Sequence, residues 1–221
     1  MIGIFDSGVG GLCSFERLCR LVKNEKLIYL ADKENAPYGT KTNEEIIALA
    51  KQNIASLRLL GARKILIACC TASGIYKSLS EEEQAIAVPI ITPASREAVR
   101  LAGHGGRIAV ISTDFTAKNH TFKNEILSID KTATVIEYGE QMLVELVELG
   151  ASDGSLLPRE AEYLDALCAK ITLAGVGALI LGCTHFSHLA EELKKRLKGI
   201  SVIDTAALGA DALYKSLSSR K

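Results

Sequence analysis

Lys64-Ile65-Leu66-Ile67-Ala68-Cys69-Cys70-Thr71 is a short apolar run, rich in isoleucine, that ends abruptly in two thiols and a hydroxyl. The pattern returns downstream as Leu179-Ile180-Leu181-Gly182-Cys183-Thr184. Between and around the two runs, short β-branched stretches alternate with longer amphipathic ones, which is the signature of repeated βα units wound around a parallel sheet. Strands are predicted at residues 2–5, 27–31, 64–68, 89–91, 107–111, 133–137, 178–181 and 201–203, with helices filling most of the gaps. The clearest helix is 43–60, where Ile46, Ile47, Leu49, Ala50, Ile54, Leu57 and Leu60 recur at helical spacing. Thr42 with Glu45 supplies a capping box at its start. The two cysteine-ended strands read as an internal duplication, and His104-Gly105-Gly106, just before a fresh strand, is the candidate junction between halves.

Composition narrows the classes of function. The chain has 221 residues with 26 Lys+Arg against 26 Asp+Glu, so it carries no net charge, and no basic block could neutralise a nucleic-acid backbone. No apolar run approaches the roughly 20 residues that span a bilayer. The opening Met-Ile-Gly-Ile-Phe-Asp lacks the basic start and long apolar stretch of a secretory signal. The expected compartment is therefore the cytoplasm, where the six cysteines stay free thiols. Zinc-knuckle spacing is absent from the sequence, so no metal is expected. Cys13, Cys19 and Cys168 fall inside amphipathic helices, where a free cysteine ordinarily acts as a small buried hydrophobe.

In open parallel sheets ligands bind beyond the carboxyl ends of the strands. The residues there are Asp6-Ser7, Asp32, Cys69-Cys70-Thr71, Ser112-Thr113, Tyr138-Gly139, Cys183-Thr184-His185 and Asp204-Thr205. Turn and cap chemistry accounts for Asp32, Asp204 and Thr205. It accounts less well for two cysteines, since cysteine is a poor cap. A thiol works as base or nucleophile only as thiolate, and a nearby imidazole such as His185 favours that form. The turn Gly8-Val9-Gly10-Gly11 has Cys13 where the third glycine of a dinucleotide fingerprint would stand, and no phosphate-binding loop of the G-x-x-x-x-G-K-[ST] type is present. No cofactor is expected. The glycines suit backbone approach to a small anion such as a carboxylate.

Five segments, in order, closely resemble glutamate racemase: Ile4-Phe5-Asp6-Ser7-Gly8-Val9-Gly10-Gly11-Leu12, Pro37-Tyr38-Gly39-Thr40, Ala68-Cys69-Cys70-Thr71-Ala72-Ser73, Val147-Glu148-Leu149-Gly150 and Gly182-Cys183-Thr184-His185-Phe186. The resemblance implies two pseudo-symmetric α/β lobes with mainly parallel sheets and an active site between them. The first lobe would take residues 1–93 with 206–221, the second 94–205. It implies interconversion of L- and D-glutamate without cofactor or metal, for the supply of peptidoglycan precursors. Cys69 and Cys183 carry over as the two bases, Asp6 as the group assisting the first, and Glu148 and His185 as those assisting the second. The matching substrate contacts are Asp6, Ser7, Tyr38, Gly39, Cys70, Thr71, Thr184 and His185, extended to Thr113 and Thr116. The implied partner is small-molecule glutamate, with a homodimer as the candidate assembly. The family usually has Asn where this chain has Cys70, and an aromatic-Pro pair where it has Phe186-Ser187, which keeps an aspartate racemase and a non-catalytic amino acid-binding protein as alternatives.

Overall fold

The computed structural model describes residues 1–149 and 158–218. Their elements alternate as the sequence predicts, in two compact units: Met1–Pro93 with Thr205–Lys221, and Ala94–Asp204. His104-Gly105-Gly106 lies inside the second unit, where it turns the chain from helix to strand, and is not the junction.

In the first unit β1 (Ile2–Asp6), β2 (Leu27–Ala31), β3 (Lys64–Ile67) and β4 (Ala87–Pro89) form a parallel sheet in the order β2-β1-β3-β4. The helices are α1 (Leu12–Leu21), α2 (Asn43–Leu59), α3 (Cys70–Ser73), α4 (Glu81–Ile86) and α5 (Ile91–Ala102). The capping box forms: the Thr42 hydroxyl accepts from the Glu45 amide, and the Glu45 carboxylate accepts from the Thr42 amide at 2.7 Å. Ile46, Ala50, Ile54 and Leu57 turn the apolar stripe of α2 into the core, where Leu57 meets Gly3 of β1. The predicted strand 89–91 is displaced. Pairing runs from Ala87 to Pro89, and Ile91 already begins α5, whose first turn accommodates Pro93 without a lost hydrogen bond.

The second unit repeats the plan with β5 (Arg107–Ser112), β6 (Thr134–Gly139), β7 (Ala178–Gly182) and β8 (Ser201–Asp204) in the order β6-β5-β7-β8, again parallel. Its helices are α6 (Asp114–Lys118), α7 (Thr121–Ile129), α8 (Gln141–Leu149), α9 (Pro158–Leu173) and α10 (Ala190–Arg196). The same strand order twice is what a duplicated βα unit produces. Residues of β1, β3, β5 and β7 are almost wholly buried, consistent with helices on both faces. The final helix, α11 (Thr205–Ser218), belongs to the first unit: Ser14 donates to the Ala206 carbonyl at 3.0 Å, and Arg17 grips Asp211 through two bonds of 2.7 and 2.8 Å. Among the described residues no helix is long and apolar enough to cross a membrane.

Candidate functional site

Both sheets deliver their chemistry at the carboxyl ends of the central strands. In the first unit β1 ends in Asp6, 1% exposed, whose Oδ1 accepts from the Gly8 amide at 2.8 Å. Tyr29, in β2, donates to the Gly8 carbonyl at 2.8 Å, so the glycine turn is held through the peptides on both sides of Gly8. Gly11 is required there: a Cβ would sit 2.8 Å from Asp6 Cβ, 2.9 Å from Tyr29 Oη and 3.0 Å from Ala68 Cβ. The turn delivers Ser7, whose Oγ lies 3.5 Å from Cys69 Sγ.

Cys69 follows β3 and leads into α3, its carbonyl receiving the Ser73 amide at 2.8 Å. Burial, with the Asp6 carboxylate adding to it, pushes the thiol up to about 11, against donors from Ser7 and the Ala72 amide that favour thiolate. Cys69 therefore rests as the neutral thiol, with the Asp6 carboxylate adding to the hold on its proton. Cys70 and Thr71 follow at once, both buried.

Tyr38 and Gly39 stand in a 3-10 turn, Tyr38–Thr40, anchored through the tyrosine. The Tyr38 hydroxyl donates to Asp32 Oδ2 at 2.5 Å and receives Asn53 Nδ2 at 2.9 Å, while Asn35 donates to Asp32 Oδ1 at 2.8 Å. Burial raises the Asp32 carboxyl, but these donors outweigh it and hold it below the usual range. Burial, Asp32 and the neighbouring Cys69 all push the Tyr38 phenol upward. Asp32 is thus more than a turn former. Its partner Asn53 was legible as a polar residue on the apolar stripe of α2.

In the second unit Cys183 follows β7 and its Sγ lies 3.5 Å from His185 Nδ1, an imidazole two residues on in the 3-10 turn Thr184–Leu189. Gly182 permits this strand end to pass Phe122, whose ring carbon would lie 2.8 Å from an added Cβ. Ser112 pairs with Gly182 across the ladder, which puts Thr113 and Cys183 at neighbouring strand ends. Thr113 caps α6 through the Thr116 amide at 3.2 Å and donates to Thr116 Oγ1 at 2.9 Å. Glu148 is carried by α8, but its side chain lies outside the described residues. Within the first unit the fold gathers Asp6, Ser7, Tyr38, Gly39, Cys69, Cys70 and Thr71 at one sheet end; within the second it gathers Thr113, Thr116, Cys183, Thr184 and His185. Of the three helical cysteines Cys168 is buried, whereas Cys19 is exposed and so is no core hydrophobe.

Residues 12–213 match the model of the Asp/Glu/hydantoin racemase family. The chain belongs to that family. It is 33% identical over 209 residues to a glutamate racemase of Desulforudis audaxviator, covering 93% of this chain and 75% of that one. Among solved structures a glutamate racemase of Bacillus anthracis superposes with a TM-score of 0.89 at 26% identity, over 100% of this chain and 82% of the other. One from Francisella tularensis, in complex with D-glutamate, gives 0.84 at 28% identity over 99% and 81%. The fold described above thus matches that of glutamate racemases of known structure.

Proposed function

We propose that this chain interconverts L- and D-glutamate by moving protons between Cys69, Cys183 and the α-carbon. The observation carrying the reading is the placement of the two thiols: each stands just past the third strand of its sheet, and each has a polar neighbour at 3.5 Å, the Ser7 hydroxyl for Cys69 and the His185 imidazole for Cys183. Inversion needs a base on one face of the stereocentre and an acid on the other. One cysteine, as thiolate, takes the α-proton and becomes a thiol; the other gives its proton to the opposite face and becomes the thiolate. No electrons are transferred and no atom is lost, so each enantiomer leaves the enzyme primed for the other. The backbone and hydroxyl donors of Ser7, Thr71 and Thr184 hold the substrate carboxylates as charge builds on the α-carbon. The D-glutamate formed serves the bacterial cell-wall polymer, in the cytoplasm.

Cys70 favours a second substrate to be tested beside the first. It is buried at the head of α3, next to the reacting thiol, and offers only a weak donor and a weak acceptor. Purified protein incubated with L-glutamate or L-aspartate in D₂O decides the matter. The expected result is D-glutamate with deuterium at the α-carbon. D-aspartate alone would reassign the substrate, and neither product would leave a binding protein.

A further inference from the structure

The two sheets share more than a strand order. Phe5 pairs with Ile67 and Asp6 with Ala31 in the first unit; Ile111 pairs with Leu181 and Ser112 with Gly139 in the second. Cys69 and Cys183 occupy the same station, two residues past Ile67 and Leu181, and Asp32 corresponds to Glu140. The Asp32 amide donates to the Asp6 carbonyl at 3.0 Å, and the Glu140 amide to the Ser112 carbonyl at 2.8 Å. The correspondence extends to the side chains. Asp32 accepts a tyrosine hydroxyl from Tyr38, and Glu140 accepts one from Tyr163 of α9. In the first unit that tether fixes a segment beside Cys69. Glu140 and Tyr163 belong to no motif in the sequence.

Glu140 is 8% exposed and stands just before α8, where its carbonyl receives the Leu143 amide at 3.0 Å. Leu143 and Val144 of α8 share one apolar cluster with Cys183, Phe186 and Leu189, and the Tyr163 ring packs against the same cluster. Asp114 lies against Gly139, its Oδ1 2.6 Å from where a Cβ would be, so a second carboxylate stands close to Glu140. A buried carboxylate deprived of its donor swings outward toward water, and that movement loosens the first turn of α8.

We infer that Glu140 and Tyr163 are positioning residues for the second thiol: the tyrosine holds the carboxylate and the first turn of α8, and Leu143 and Val144 in turn fix the segment that presents His185 to Cys183. The inference rests on the reading of Cys183 as a proton carrier, and a readout independent of turnover keeps the two separable. In the full-length protein, iodoacetamide labelling of Cys183 is followed by peptide mass spectrometry from pH 7 to 10.5, with Cys69 as internal reference. Tyr163→Phe should slow labelling of Cys183 at pH 7.5 by about tenfold, the effect of about one pH unit in thiolate fraction. The two rates should converge above pH 10, with Cys69 unchanged throughout. The kcat for racemisation should fall by a similar factor with KM nearly constant. Glu140→Gln, whose amide oxygen still accepts the hydroxyl, should recover most of the Cys183 rate that Glu140→Ala loses. Simple loosening would instead speed labelling of Cys183 at every pH, and that result overturns the inference, as does an unchanged rate or an equal change at both thiols. Wild-type protein that does not racemise glutamate would refute the proposed function while the labelling still tests the tether.

Discussion

At the residue scale the two thiols are held by different chemistry. Cys69 has a serine hydroxyl, a backbone amide and a carboxylate around it, whereas Cys183 has an imidazole. In the proposed mechanism each serves one face of the α-carbon, so neither replaces the other. Cys69→Ala and Cys183→Ala should each lower turnover in both directions by at least about a thousandfold, combining loss of a proton carrier worth 10²–10⁴ with loss of the return step. Polarimetry on both enantiomers measures this, and near wild-type turnover by either variant would end the two-thiol reading. Gly11 tests the ground beneath Cys69. Gly11→Ala drives a methyl into Asp6, Tyr29 and Ala68, and should cost about 1–3 kcal/mol by denaturant unfolding. The thiols and most of the polar residues gathered at the same strand ends are readable from sequence, because a strand end shows itself where an apolar run stops at Asp, Ser, Thr or Cys. Tyr29 and Tyr163 are not, because each reaches the site from within a strand or helix whose local pattern gives no sign of where its hydroxyl points.

The elements show where local rules suffice and where tertiary context takes over. The capping box of α2 follows from Thr42 and Glu45 alone, and Thr42→Ala should cost about 1 kcal/mol. The strand at Ala87–Pro89 does not follow so directly. The sequence places it two residues later, because Pro89-Ile90-Ile91 is the more apolar run, yet Ala87, Val88 and Pro89 are the residues that find Ile65, Leu66 and Ile67. As an edge strand β4 tolerates a proline, so the propensity signal against it is overridden. The Tyr38 turn is a tertiary construction of the same kind, built by Asp32 from β2 and Asn53 from α2. Tyr38→Phe leaves the buried Asn53 and the half-buried Asp32 each one partner short. It should lower stability by about 1–3 kcal/mol and raise the KM for glutamate, read from unfolding and from initial rates.

For the whole molecule, burial of thiols sets a limit on alkaline stability. Cys69 and Cys168 are each raised from 9.0 to about 11, so above pH 9 the unfolded chain loses protons that the folded chain keeps. Stability is therefore undiminished by these groups below pH 9 and falls as pH rises toward 11, by about 1.4 kcal/mol per unit for each thiol. Urea unfolding of wild type and Cys168→Ala between pH 8 and 10.5 should show a shallower fall in the variant, and parallel curves would contradict the assignment. The return of α11 to the first unit has a consequence for how the protein is made. Ser14 and Arg17 find their partners 192 and 194 residues later, at Ala206 and Asp211. On a ribosome, the opening α/β segment emerges early and must wait, with α1 lacking its neighbour, until almost all of the chain has been translated. The middle unit, contiguous from Ala94 to Asp204, has all its strands in hand sooner. Protease resistance during synthesis should then appear first in the middle of the polypeptide and last at its beginning.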